Sequence, residues 1–339
     1  MTTKDSSLAT QFGVSDAFLD NLSKLALQDS SWWRDVLMRD DVFIAVRNNS
    51  LDVYYRGGSI FQICDDGNGT AKPNTHVKYL VRQQEARVEL DADNKFILPP
   101  DGVAWERYED DRTLSDMLTA AQTLAGLEKS GLHPLVVGSP NVIDVEISLR
   151  ASHPLPDRSL SAKGGRQDAK SYDRLDAAAL EQRGNDTFVV FHEAKHFSNP
   201  DLAAKAGNTP KVVEQIRGYR STIKHHEALL VERYRSVCRT LERIDAMRPR
   251  PRKSSGPDSL LQKVVQTGVT LRIDPNPRLI VFGFDAGQRD GRWKAYLENI
   301  TQDEPDLNVY AAGNPETATG AFRPPRPKRV KKVTSELSS

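Results

Sequence analysis

Two adjacent β-type runs joined by a short polar turn constrain this chain more than any other feature of its sequence. The first run is RLDAAALEQ (174–182), the turn is RGND (183–186), and the second run is TFVVFHEAKHF (187–197). A Ser-Asn-Pro triplet at 198–200 stops the second run. Runs of this kind on both sides of a short turn containing glycine predict a β-hairpin.

Helical and β-type segments alternate around this hairpin. They are a helix from Thr113 to about Lys129, the strand NVIDVEISLR, the hairpin after a long polar insertion (152–172), a helical stretch over 210–247, the short helix LLQKVVQ, the strand PRLIVFGFD and the helix RWKAYLENI. The stretch over 210–247 is long enough that we expect a break or a second helix within it. The order predicts an α/β fold with one mixed sheet and helices on both sides.

A different pattern precedes this region. Leu19, Leu22 and Leu25 lead towards Trp32 and Trp33 at helical spacing. Three short β-type runs follow in VFIAVRNNSLDVYYRGGSIFQI, and HVKYLV and ARVELDADNKFIL come next. We therefore predict an N-terminal α+β module over residues 1–105, a second domain over 106–305 and a flexible basic tail over 306–339.

Composition excludes several classes of protein. The chain has 339 residues and no apolar run close to the roughly 20 residues that a membrane span needs. Its polar N-terminus lacks the apolar core of a signal peptide. Cys64 and Cys238 are isolated, which excludes a disulfide framework and a cysteine-rich zinc site. We expect a cytoplasmic protein that does not enter a membrane.

The charge is balanced overall but uneven along the chain. Basic residues number 47 against 46 acidic ones, yet six basic side chains face one carboxylate, Glu336, after residue 320. The six are Arg323, Arg326, Lys328, Arg329, Lys331 and Lys332. A proline-rich basic segment of this kind is typical of disorder and can contact a polyanion non-specifically. A solvated tail that only aids solubility is the alternative reading.

The end of the second hairpin run carries the chemistry. Strand side chains alternate, so Glu193 and Lys195 project from one face. The hairpin lets Asp176 lie beside Glu193. Two neighbouring carboxylates repel each other as anions and suit a hard divalent cation such as Mg²⁺. A lysine next to such a cation can orient a water molecule or stabilise charge on a phosphoryl oxygen.

A second motif makes this triplet more specific. Acid-x-Lys triplets arise readily by chance, and the chain has three of them, but only Glu193 to Lys195 ends a β-type run that follows a strand with its own acid. Gln215 and Tyr219 stand one helical turn apart on the next predicted helix. They form the single Gln-x-x-x-Tyr pattern in the sequence.

This order of elements resembles the PD-(D/E)xK nuclease superfamily, in particular its RecB-like branch with a Gln-x-x-x-Tyr helix. The resemblance covers roughly residues 113–300 and implies a restriction-endonuclease-like core. It implies that Asp176 and Glu193 bind Mg²⁺ or Mn²⁺ and that Lys195 positions the attacking water. Gln215 would bond near the lysine or the phosphate, and Tyr219 would support the site or touch nucleic acid.

Three further acids enter through the same resemblance. Asp173 is the alternative to Asp176, because the RLDAAAL run lacks the proline or glycine often found beside the family's aspartate. Some family members add an acid from a helix to the metal site. Glu128 is the first candidate for that acid here, and Glu146 on the IDVEI strand is the second.

The implied activity is hydrolysis of phosphodiester bonds by a metal-dependent nuclease, acting on DNA rather than RNA, in restriction, repair or anti-phage defence. Nucleic acid is therefore the expected partner. A homodimer through the long helix and a protein partner for the N-terminal module are further expectations.

Other readings of the same residues stay open at this point. A non-catalytic nucleic-acid-binding or regulatory protein could keep the fold, with Glu193 and Lys195 as a plain ion pair. His192 to His196 also match the H-E-x-x-H pattern of zinc peptidases, which requires a helix. On a strand, His192 and His196 would lie about 13 Å apart, too far to share one metal.

Overall fold

Two β-sheets organise the part of the chain that the structure, a computed structural model, describes. The described residues are 13–80, 87–97, 105–151, 172–204, 208–250, 258–266 and 269–324. The basic segment from residue 325 and the polar insertion at 152–171 lie outside them. The molecule is thus mixed α/β, as the sequence predicts.

The first sheet is an antiparallel meander near the N-terminus. Its order is β1-β2-β3-β4-β5, with β1 Phe43–Arg47, β2 Ser50–Tyr55, β3 Gly58–Asp65, β4 Ala71–His76 and β5 Arg87–Glu89. Asn49, Arg56 and Gly57 take positive φ in its two tight turns, where Asn and Gly meet little or no steric penalty. The predicted β-type run HVKYLV instead contains the end of β4 and a 3-10 turn, Val77–Leu80.

Two short helices cover one face of this sheet. They are α1 Asp16–Ala26 and α2 Trp32–Met38, and the hydroxyls of Ser15 and Ser31 cap their first turns. Phe18, Leu22 and Trp33 are fully buried, so the apolar spacing in the sequence reflects packing onto a core.

The second sheet carries the predicted hairpin at its centre. Its order is β11-β10-β8-β7-β6, with β9 beside β8, and the strands are β6 Val142–Arg150, β7 Tyr172–Arg183, β8 Asp186–His196, β9 Leu271–Ile273, β10 Arg278–Phe282 and β11 Val309–Gly313. Strand β8 is antiparallel to β7 and parallel to β9 and β10. The sheet is therefore mixed.

Helices lie on both faces of this sheet. They are α4 Leu127–Val137, α5 Lys211–His225, α6 Glu227–Ala246, α7 Ser259–Val265, α8 Ala286–Gln288 and α9 Lys294–Asp303. Helix α3 Asp111–Leu124 packs instead on the first sheet, against β2, β3 and the 3-10 turn after β4. The α4 residues Leu132, Leu135 and Val136 share one apolar cluster with β7 and β10. Helices α5 and α6 pack into the larger cluster on the other face.

One helix boundary differs from its prediction, whereas the break expected within residues 210–247 is confirmed. The helix expected from Thr113 to Lys129 ends at Leu124, since Ala125 is extended and Gly126 is the N-cap of a new helix, α4. The helical stretch over 210–247 breaks at His226, which joins α5 to α6 with non-helical backbone angles. The boundary at Leu124 matters most, because α4 was not predicted as a separate helix.

The C-terminal boundary also differs. The predicted tail over 306–339 begins too early, because β11 pairs with β10 and Phe322 is buried against His192. β9 was missed as well. Strand β9 has three residues and β11 has five. Runs as short as these carry little periodic signal in the sequence. Within the described residues, no helix combines the length and apolarity needed to cross a membrane.

Buried polar contacts tie the N-terminal sheet to the second sheet. Asp144 on β6 is fully buried and accepts from Arg47 on β1 and from Arg233 and Tyr234 on α6. A buried carboxylate is stable only when donors compensate its lost hydration. The proposed boundary between the N-terminal module and the second domain is therefore crossed by an ionic network.

His133 on α4 makes a second tie. Its Nδ1 accepts from the backbone N–H of Arg56, and its Nε2 lies 2.7 Å from the carbonyl oxygen of Asp41. The Tyr55 ring packs edge-on against the imidazole. Burial lowers the pKa of His133 to about 4 from its usual 6.5, so the imidazole is neutral in the folded protein at neutral pH.

This depressed pKa predicts a loss of stability in acid. The unfolded chain takes up a proton below pH 6.5 and the folded chain only near pH 4, so the contribution of His133 is complete above pH 6.5 and is lost as the pH falls towards 4. Between pH 7 and pH 5 the wild type should lose about 2 kcal/mol more than His133→Gln, which cannot titrate. Urea unfolding at both pH values measures this difference, and equal losses would contradict it.

Candidate functional site

The candidate site lies where β7 and β8 pass the end of α4. The hairpin register pairs Ala177 with His192, immediately before Asp176 and Glu193 in the ladder. The backbone N–H of Ala194 donates to Asp176 Oδ2 at 2.8 Å. The hairpin therefore brings together Asp176, Glu193 and Lys195, and all three side chains are buried.

The strands are irregular at this point. Val145 and Ile147 lie two residues apart on β6 but belong to different apolar clusters, and so do Leu175 and Ala177 on β7. Glu146 has a φ of 52°, a left-handed conformation that non-glycine residues seldom adopt. The alternation of side chains is thus interrupted where the acids meet.

Helix α4 packs closely on the sheet and contributes two side chains to the site. A Cβ atom added at Gly131 would lie 2.3 Å from the ring of Phe282 on β10, so only glycine permits this approach. One turn earlier, Glu128 and Lys129 reach the ends of β7 and β8.

Lys129 neutralises two carboxylates. Its Nζ lies 2.8 Å from Asp176 Oδ1 and 2.6 Å from Glu146 Oε1. Asp176 therefore has one oxygen on a backbone N–H and the other on an ammonium. Glu146, which was considered as a metal ligand, is here the ion-pair partner of Lys129.

Glu128 joins α4 to the segment after β8. Its Oε2 accepts from Asn199 Nδ2 at 2.8 Å and from the backbone N–H of His196 at 3.3 Å. Its charge acts on both Glu193 and Lys195. The structure thus places the helical acid next to the strand acids.

Glu193 is the most strongly perturbed acid of the site. Burial and the nearby Asp176 raise its pKa to about 8, although Lys195 Nζ lies only 2.6 Å from Glu193 Oε1 and opposes the shift. Burial lowers the pKa of Lys195, but Glu193, Glu128 and Asp176 outweigh it and the net pKa is raised. The raised pKa favours the protonated form of Glu193 at neutral pH, and a bound cation would favour its ionised form.

Helix α5 supplies Tyr219 and Gln215. The Tyr219 hydroxyl donates to the carbonyl oxygen of Arg174 at 2.8 Å, and burial together with Glu193 and Asp176 raises its pKa. Gln215 lies one turn earlier, and its buried Oε1 has no hydrogen-bond partner among the described residues. The structure brings Tyr219 against the acids but gives no bond between Gln215 and Lys195.

Asp173 is separate from this group. Its Oδ2 accepts from the Thr222 hydroxyl at 2.6 Å, and both side chains are buried. The structure therefore favours Asp176 over Asp173 as the acid that meets Glu193.

Sequence reasoning missed Lys129 and Asn199. Both lie next to residues that were considered: Lys129 follows Glu128, and Asn199 belongs to the triplet that ends β8. No spacing rule connects Lys129 to Asp176, which lies 47 positions away. The contact forms because α4 begins at Leu127, which places Lys129 in the first turn of the helix.

The histidine pattern does not form a helical zinc motif. His192 and His196 lie on β8, an extended strand, as expected. His192 packs on Phe322, whereas the ring of His196 lies against Gly283 and Phe282. The geometry that zinc peptidases require, with both histidines on one helical face, is therefore missing from this segment.

A divalent cation fits two of these side chains. Among the described residues, no group of three or more His, Cys, Asp and Glu side chains is arranged to hold a metal ion. The pair Asp176 and Glu193 nevertheless offers oxygen donors, and the buried Glu193 Oε2 has no hydrogen-bond donor from the part of the chain that the structure describes. Hard cations prefer such oxygens, and a cation here would relieve the repulsion between the two carboxylates.

Comparison with known proteins adds nothing to this assignment: no family model, no curated protein and no solved structure matches the chain.

The bond between Asp173 and Thr222 should be structural. Thr222→Val keeps the shape of the side chain but removes the donor, so the buried carboxylate loses a hydrogen bond. We expect a loss of about 1.5–3 kcal/mol in the free energy of unfolding, measured in urea. Thr301→Val is the matched control, because the Thr301 hydroxyl bonds only to backbone carbonyls of its own helix. Equal losses in the two variants would show that the buried Thr222 hydrogen bond contributes no more to the free energy of unfolding than the hydrogen bonds of Thr301.

Proposed function

We propose that this protein is a metal-dependent nuclease with a restriction-endonuclease-like core. One observation carries the proposal: two carboxylates from paired strands, Asp176 and Glu193, meet at one end of a mixed sheet, with Lys195 buried beside Glu193. This is the set of groups that cleavage of a phosphodiester requires at close range.

Asp176 and Glu193 would hold Mg²⁺ or Mn²⁺. When bound, such a cation supplies Lewis acidity towards a phosphoryl oxygen and lowers the pKa of coordinated water. Glu193 Oε2 would bind the cation once the carboxyl group releases the proton that its raised pKa favours at neutral pH. Asp176 Oδ1 becomes available once the Lys129 ammonium moves towards Glu146, its other partner.

The chain's own groups account for the remaining tasks. Lys195 is held by Glu193, so its ammonium can orient a water molecule and donate to an oxygen of the phosphate. Glu128 binds Asn199 and the backbone of His196, and in this way fixes the end of β8. Tyr219 anchors α5 on β7 through the Arg174 carbonyl.

The order of the elements supports the RecB-like version of this fold. A helical acid (Glu128) precedes the strand acid (Asp176), the hairpin continues to Glu193 and Lys195, and α5 follows with Gln215 and Tyr219. The buried Gln215 Oε1 has an open acceptor that can bind a donor of the site. We infer DNA as the substrate, with restriction, repair or anti-phage defence as the setting, by analogy with that branch.

Cleavage assays with Mg²⁺ or Mn²⁺ test the proposal. The purified chain should cut single-stranded or duplex DNA, and Asp176→Asn, Glu193→Gln and Lys195→Met should each lower the rate by at least about 100-fold. RNA of the same sequence, tested in parallel, decides between the two nucleic acids.

Two controls make this test specific. Asp173→Asn, a matched change three residues from Asp176, should keep most of the activity, and so should the exposed Asp290→Asn. Absence of metal-dependent cleavage in the wild type, or undiminished cleavage by both Asp176→Asn and Lys195→Met, would exclude the nuclease and favour a non-catalytic nucleic-acid-binding protein.

Lys129 should compete with the metal. Its ammonium neutralises Asp176, so Lys129→Met should raise the affinity for Mn²⁺ by about tenfold, because one positive charge near the site is removed. Glu146→Gln should lower the affinity, since Lys129 then has Asp176 as its remaining carboxylate partner. Calorimetric titration with Mn²⁺ measures both, and a change of the same sign in the two variants would contradict the competition.

A further inference from the structure

A cavity of about 380 Å³ opens between the N-terminal module and α4. Its walls are the β2–β3 turn, the 3-10 turn after β4 and the junction between α3 and α4. We call it the hairpin cavity. Its volume lies within the range of roughly 300–1,000 Å³ that small-ligand sites occupy.

The hairpin cavity adjoins the candidate site directly. Lys129 and Glu146 line it, and the same Lys129 ammonium contacts Asp176. Gly57 in the β2–β3 turn lies so close to Lys129 that an added Cβ would be 2.7 Å from the lysine side chain. Lys129 and Glu146 therefore belong both to the candidate site and to the lining of the hairpin cavity.

The lining has an excess of positive charge. Arg56 and Lys78 line the cavity, and neither makes an ion pair with a carboxylate of the described residues; their cationic groups lie over the Tyr55 and Tyr79 rings. Within the described ranges, the hydrogen bonds of the Arg56 guanidinium are long, at 3.5 Å to Tyr55 Oη and 3.5 Å to the Ser130 carbonyl oxygen. Glu146 is the acid of the lining, and Lys129 neutralises it.

The start of α4 adds donors to the same wall. Its N-cap, Gly126, has no side chain to cap the helix, and a Cβ there would meet nothing within 4 Å. The first backbone N–H groups of a helix have no partner within the helix and favour an anion. Gly126 lines the same cavity as Arg56 and Lys78, two cations that belong to other elements.

From this arrangement we propose that the hairpin cavity binds backbone phosphates of the nucleic acid strand next to the phosphate that is cleaved. Arg56 and Lys78 contact phosphate oxygens, and the α4 N-terminus faces the same groups. The proposal rests on the proposed function for its substrate and gives the N-terminal module a role in positioning that substrate.

Salt dependence of binding tests the assignment without any cleavage. Affinity of the full chain for a labelled single-stranded DNA is measured in EDTA at several salt concentrations. On single-stranded DNA each phosphate contact contributes about 0.7 to the slope of log affinity against log salt. The double variant Arg56→Gln with Lys78→Gln should therefore lose about 1.4 from the slope and bind roughly 25-fold more weakly at 0.1 M salt.

A pair of variants at Gly126 isolates charge from helix capping. Asp and Asn both cap helices well, and the open space at Gly126 accepts either side chain. Gly126→Asp places a carboxylate in the hairpin cavity and should bind DNA about fivefold more weakly than the neutral Gly126→Asn. Urea unfolding verifies that both variants fold with similar stability.

The charge-matched control is Lys24→Gln with Lys294→Gln, two exposed lysines on α1 and α9. A slope equal to that of this control, or undetectable DNA binding by the wild type, overturns the proposal. Stabilisation of the wild type by inorganic phosphate, with unchanged DNA affinity in the Arg56 and Lys78 variant, assigns the cavity to a free anion and also overturns it.

Cleavage kinetics separate this inference from the proposed function. With Mg²⁺ and saturating DNA, the Arg56 and Lys78 variant should keep the wild-type kcat and show a raised KM, because it retains the groups at the cleavage site. Absence of cleavage in the wild type defeats the proposed function, and the salt slope then still reports on phosphate binding in the hairpin cavity.

Discussion

The burial of Glu193 is the constraint on which the rest of the site depends. A carboxylate in this position loses hydration and is repelled by the charges of Asp176 on β7 and Glu128 on α4. Burial of a charge is tolerated only where opposite charge or donors surround it. Lys195 supplies one such charge, and its own burial makes sense only because of the acids around it. Each of these charges would be unfavourable if it were buried alone, and the opposite charges of the cluster stabilise one another.

The partly exposed Lys129 neutralises further negative charge at the site. It compensates Asp176 and Glu146 together, and it does so from the first turn of a helix whose approach requires Gly131. The position of α4 therefore sets the electrostatics of the site. His133, one turn further along, fixes α4 to the backbone of Asp41 and Arg56 in the N-terminal module. A contact that stabilises the fold in this way also holds the charges of the site in place.

Some elements of the fold and of the candidate site could be predicted from the sequence, and others could not. The hairpin, its acids and the Glu-x-Lys triplet were predicted because alternation and a short turn are local properties of the sequence. The end of α3 at Leu124, the separate α4 and the short strands β9 and β11 were not, since tertiary packing and not propensity determines them. Lys129 was missed for the same reason: its partner is close in space and distant in sequence.

The interrupted alternation near Glu146 and Asp176 shows why a regular strand is a poor guide at such a site. A strictly alternating β7 would place Leu175 and Ala177 in one apolar cluster, but they lie on opposite sides of the sheet. The left-handed Glu146 on the neighbouring strand costs free energy that local sequence alone does not repay. Its ion pair with Lys129 offers a compensation, and that pair exists only when α4 is docked. Local strain, helix docking and the charge of Asp176 are therefore coupled through one lysine side chain.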